Sequence, residues 1–163
     1  MGQFTGNWID SIGNIVPGYR GYKDKEMRRD SDRLLRNSIS KLLTDRKPAL
    51  DTVIADLLKS GKLEHMDRLS QIKRKLDNAA VRIRTAPAGY SGFFDTVQVR
   101  AEDLDRLYRF DMNLHEKAAE IAGLVDGARI AKDPAGAGGA IVAALEAFEA
   151  LIGERDTVIA EVR

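Results

Sequence analysis

Residues 24–45, DKEMRRDSDRLLRNSISKLLTD, decide the fold class. Met27, Leu34, Leu35, Ile39, Leu42 and Leu43 recur at intervals of three and four with charged residues between them, the period of an amphipathic helix. The same period returns further along the chain. Leu50, Val53, Ile54, Leu57 and Leu58 follow Pro48, which either kinks the first helix or opens a second. Ser60-Gly61 reads as a helix stop, and Leu63, Met66, Leu69, Ile72, Leu76, Ala79, Ala80 and Ile83 form the next stripe. Beyond it, Leu104, Leu107, Phe110, Leu114, Ala118, Ile121, Val125 and Ala128 mark a helix whose first turn carries Glu102, Asp103 and Asp105, well placed at the positive end of its dipole. A last helix is expected from about Ala140, with Ile141, Leu145, Phe148, Ile152 and Ile159 inward and alanines at 140, 143, 144, 147 and 150 permitting close approach of a neighbour.

The expected architecture is all-α: an antiparallel bundle of four or five helices, arranged as hairpins 23–85 and 100–163 joined by a loop at 86–99, with residues 1–22 as an N-terminal arm. The 163 residues suffice for one domain with a substantial core, and 31% charged against 6% aromatic residues is the profile of a solvated bundle. The linking segment TAPAGYSGFFDTVQV, 85–99, reads as an ordered connection with a short extended stretch at 96–99. Gly18-Tyr19-Arg20-Gly21-Tyr22-Lys23-Asp24 is echoed by Gly89-Tyr90-Ser91-Gly92-Phe93-Phe94-Asp95, and Asp32-Arg33-Leu34-Leu35-Arg36 by Asp105-Arg106-Leu107-Tyr108-Arg109. These echoes suggest a duplicated hairpin introduced by a Gly-aromatic turn.

With no cysteine, the chain has no disulfides, thiolate metal sites or cysteine nucleophile. The N-terminal stretch lacks the layout of a secretory signal, and no run of eighteen apolar residues occurs, so a cytoplasmic protein, at most peripheral to a membrane, is expected. The net charge of +1 conceals a division. Residues 1–86 hold 18 Lys and Arg against 11 Asp and Glu, while residues 87–163 hold 8 against 14. Packing of the halves against each other would neutralise both; a basic surface would instead meet an anionic partner.

Catalytic and cofactor motifs are scarce. The glycine cluster Pro134-Ala135-Gly136-Ala137-Gly138-Gly139 lacks the Lys-Ser/Thr pair of a phosphate loop and is expected to be a flexible interhelical loop. No serine stands in a Gly-x-Ser-x-Gly elbow, and no Glu-x-x-His element of the di-iron bundles occurs. The nearest approach to a metal site is Asp111 one turn before His115, with Glu64 or His65 from another helix, and no cofactor is expected. An anion site for nucleic acid would use Arg28 and Arg29 with Lys73, Arg74 and Lys75.

In the N-terminal arm Phe4, Trp8, Ile12 and Val16 recur every fourth residue, an apolar ridge fit to lie on the bundle, on another subunit or in a membrane interface. Aromatics otherwise gather outside the helical stripes, as interface anchors do, so Phe4, Trp8, Ile12, Tyr19, Tyr22, Tyr90, Phe93 and Phe94 are the expected contact residues. The chain thus reads as a non-enzymatic scaffold or adaptor working through a protein partner or its own copies. Alternatives are a helical protein that binds an anionic membrane surface or nucleic acid through its basic half, and a metal-binding bundle.

Overall fold

A computed structural model describes residues 4–21, 25–85 and 101–161, with the side chains of residues 4–9, 25–29, 101 and 104 left aside. The described residues are helical, without a strand among them: α1 (Phe4–Ile15), α2 (Lys25–Thr44), α3 (Lys47–Lys59), α4 (Met66–Arg84), α5 (Ala101–Leu124), α6 (Gly127–Lys132) and α7 (Pro134–Glu161), plus a single 3-10 turn at Leu63–His65.

The apolar spacing in each segment becomes a buried stripe. Leu35, Ile39 and Leu43 line the inner side of α2, and Leu69, Ile72, Leu76, Ala79, Ala80 and Ile83 that of α4. Leu107, Tyr108, Leu114, Ala118 and Ile121 do so on α5, and Ile141, Leu145, Phe148, Ile152 and Ile159 on α7. All belong to one continuous core, which also takes in Ile12, Val16 and Tyr19 from the N-terminal arm. Helix α1 lies on α5, α2 packs on α4 and α5, and α7 packs on α4 and α5.

Side-chain bonds between helices fix their directions. Ser40 Oγ donates to the Ala80 carbonyl at 2.9 Å and Arg36 Nη1 to that of Arg84 at 3.1 Å, so α2 and α4 are antiparallel. Arg155 meets Asp111 and Arg106 meets Glu161, which makes α5 and α7 antiparallel. Helix α4 runs parallel to α7: a Cβ built on Gly138 meets Arg68 and Ile72, one on Gly153 meets Arg82, and Lys75 pairs with Glu146 between them. The order long, short, long occurs twice, as α2, α3, α4 and as α5, α6, α7, and the two short helices pack on each other.

Local chemistry explains the boundaries. Pro48 sits in the first turn of α3, where its missing N–H costs nothing, so a new helix begins there after the Asp45–Arg46 turn. Helix α3 ends in a Schellman motif: Lys62 N donates to the Leu57 carbonyl at 3.0 Å and Gly61 N to that of Leu58 at 3.2 Å. Gly61 takes the required left-handed conformation, φ +69°.

Two expectations are corrected. Residues 134–139 are not a loop but the opening turns of α7, because Asp133 caps the helix. Its carboxylate accepts from Gly136 N at 3.0 Å, and Pro134 occupies the first helical position. A Cβ at Gly136 would stand 2.2 Å from the capping carboxylate, so the glycine makes room for its own cap. Helix α5 stops at Leu124, since Asp126 caps α6 by accepting from Arg129 N at 2.8 Å. Ala128 is therefore exposed on α6, not buried on α5.

Candidate functional site

The most unusual chemistry inside the protein is a set of charges in the core. Arg155 is 2% exposed, Asp32 1% and Asp111 fully buried. Arg155 Nε donates to Asp111 Oδ1 at 2.8 Å and its Nη2 to Asp32 Oδ1 at 3.1 Å. Asp32 Oδ2 also meets Arg36 Nη2 at 2.7 Å, and the Tyr19 hydroxyl makes a long 3.4 Å contact with Asp111 Oδ2. Two guanidinium groups thus offset two carboxylates, joining α2, α5, α7 and the turn after α1. The planar fork of Arg155 suits this bridging role, and charges so deeply buried persist only when paired. Asp32 and Asp111 both accept from guanidinium groups, so the set works as a clamp and presents no carboxylate to a substrate. Sequence reading missed Arg155, although one arginine in the register of Phe148, Ile152 and Ile159 was a usable signal.

The expected metal residues do not assemble. Asp111 is bound into the clamp, His65 lies 3.5 Å from Glu64, and no group of three or more His, Asp or Glu among the described residues could hold a metal ion. His115 is half-buried, and loss of hydration lowers its pKa from 6.5 while neighbouring Glu116 pulls the other way.

The expected anion site is likewise altered. Lys73 pairs with Asp51 and Lys75 lies 3.7 Å from Glu146, so of that trio only Arg74 has no ion pair with a described residue. The side chains of Arg28 and Arg29 lie outside the described set. The Lys75 to Glu146 bridge joins the basic and acidic halves, as does Arg155 to Asp32.

Among the expected contact residues, Ile12 is 1% and Tyr19 5% exposed, so both belong to the core and not to a surface. The ridge of α1 turns inward at Ile12 and Val16, because Pro17 and the positive-φ glycines 18 and 21 fold the chain back over α5. Tyr22, Tyr90, Phe93, Phe94 and the stretch 96–99 lie outside the described residues, as do the side chains of Phe4 and Trp8.

What the structure leaves uncovered is one side of α7. Ala135, Gly136, Ala143, Ala147 and Ala150 are exposed, with Gly139, Ala140 and Gly153 half-exposed beside them. The same side also carries exposed Glu146, Glu154 and Thr157, and among the described residues α7 is the one helix with a stretch long and apolar enough to cross a membrane. Its inner side holds ten buried residues, Arg155 among them, which is the placement of a core helix. Beside the outer side runs an open groove of about 300 Å³, lined by Asn113, Glu116, Lys117 and Glu120 of α5 and Leu151 of α7. Large apolar side chains are otherwise exposed at Ile15 at the end of α1, at Leu58 and Leu63 about the Gly61 turn and at Val81 on α4. Compared with protein-family models, curated proteins and solved structures, the chain matches none.

Proposed function

We propose that the chain is a non-enzymatic adaptor or scaffold that works through protein contacts made by the outer side of α7. Its body is two related hairpins, α2 to α4 and α5 to α7, each antiparallel within itself, packed with α4 parallel to α7 and held in register by the Arg155 clamp. The supporting observation is the uncovered side of α7. Small residues dominate that side, interrupted by Glu146 and Glu154, while the buried residues of α7 all lie on its other half. Exposed alanines and glycines also let a second helix approach to about 8–10 Å between axes, where backbone and side-chain dispersion contacts are dense.

Velocity sedimentation of gently lysed cells tests this reading. The protein should travel in an assembly heavier than its own 18.0 kDa, and the double variant Ala143→Arg/Ala147→Arg should travel alone with unchanged helix content. Wild-type protein sedimenting as a free chain would refute it.

A further inference from the structure

We infer that the turn joining α3 to α4 dips into an anionic lipid surface, with Leu58 and Leu63 entering the interface and Lys59 and Lys62 meeting the headgroup phosphates. This surface is separate from the outer side of α7 and goes beyond the protein contacts proposed above.

Residues 58–64, Leu-Lys-Ser-Gly-Lys-Leu-Glu, are all exposed, the longest such run among the described residues. Leu58 is 54% and Leu63 61% exposed, the two highest values among the large apolar side chains described. Their backbones are tied to the same glycine: Gly61 N donates to the Leu58 carbonyl at 3.2 Å, and Leu63 N to the Gly61 carbonyl at 3.1 Å. Both leucines therefore belong to one apex. A Cβ at Gly61 would meet nothing within 4 Å, so the apex stands clear of the bundle.

The local motif accounts for the exposure. A Schellman turn is commonly closed by an apolar residue directly after the left-handed glycine, packed back onto the last turn of the helix. Here that position is Lys62, and the apolar residue comes one place later, at Leu63, beyond the closing contact. Leu57 turns into the core at 7% exposure, which leaves its neighbour Leu58 facing out.

Cations bracket the leucines. Lys59 and Lys62 each stand one residue from a leucine, both are exposed, and neither makes an ion pair with a described residue. Lysine stems extend beside apolar neighbours while the ammonium stays among headgroups, where anionic lipid attracts it. Glu64 on the apex and Asp56 and Asp67 on the helices behind it oppose that attraction, so binding rests on the leucines and the two lysines together. A convex apex of this kind suits an interface that is apolar beneath and anionic above, which a bilayer supplies without a matched cavity.

The chain has no cysteine, so a single introduced one can carry a polarity-sensitive fluorophore. With the label at Ser60→Cys, vesicles of phosphatidylcholine with about one-third phosphatidylglycerol should blue-shift and brighten the emission. The same label at Asn78→Cys, exposed on α4, should not respond. In the Ser60→Cys protein, Leu58→Ser/Leu63→Ser and, separately, Lys59→Glu/Lys62→Glu should each raise the lipid concentration for half-saturation more than about tenfold. Glu64→Lys should lower it about tenfold, a gain that loss of folding does not produce. The inference is overturned if the Ser60 label ignores the vesicles, responds equally to pure phosphatidylcholine, or responds no more than the Asn78 label. Binding that survives either double variant, or a Glu64→Lys variant that binds no better, overturns it as well. So does a label that answers only to a vesicle-free extract of soluble proteins, which would assign the apex to a protein partner.

Discussion

Replacing Arg155 with methionine probes the clamp that holds the hairpins together. The side chain is 2% exposed and supplies the 2.8 Å bond to Asp111 and the 3.1 Å bond to Asp32. Methionine keeps most of the packed volume, so the loss is chiefly electrostatic. Asp32 retains Arg36 at 2.7 Å, whereas Asp111, fully buried, loses its bond to this guanidinium. Breaking a buried ion pair from one side costs about 3–5 kcal/mol, because a charge is left uncompensated in the interior. In a chain of this size each kcal/mol moves the midpoint by about 2–4 °C, so thermal unfolding should fall by about 6–20 °C. Urea titration followed by circular dichroism measures the free energy directly. The triple variant Asp32→Asn/Asp111→Asn/Arg155→Met, which removes the buried charges together, should be more stable than the single one. A single-variant loss below about 1 kcal/mol, or a triple variant no better than the single, would show that the cluster is not the clamp described.

Three further outcomes follow from local geometry. Gly61→Ala meets nothing within 4 Å yet forces φ +69° on a residue with a Cβ, so urea midpoints should report a loss of about 1–2 kcal/mol, and less for Gly61→Asn. Asp133→Ala removes the cap of α7 and should cost about 0.5–2 kcal/mol in the same assay, with amide exchange quickening at Gly136. His115 has a folded-state pKa below its unfolded 6.5, so the unfolded chain takes up its proton first as pH falls. Its contribution to stability is therefore present above about pH 6.5 and declines as pH drops toward the folded value. Unfolding free energies measured across that window should flatten in His115→Gln, and an unchanged slope would count against the burial of this imidazole.

Helices were legible because their stripes are regular. Leu35, Ile39 and Leu43, or Leu69, Ile72 and Leu76, can face only one way if they are to leave water. The opening of α7 was misread because Gly136, Gly138 and Gly139 lower helix propensity, while the deciding signal, Asp133-Pro134 as cap and first residue, is two residues long. Contact residues were harder still. An aromatic residue near a glycine is equally apt to anchor an interface or to plug a core, and Tyr19 does the latter because the glycine turn folds it onto α5. The uncovered side of α7 was half visible in its alanine run. Which of those alanines meet α4 and α5, and which meet nothing, depends on tertiary placement that no local period encodes.

Photo-crosslinking in living cells from a probe at Ala147, with an equivalent probe at exposed Asn78 of α4 as reference, tests the central claim most directly. The Ala147 probe should capture a discrete protein adduct in good yield and the Asn78 probe far less. Equal, low capture from both positions would contradict the assignment of α7 as the interacting surface.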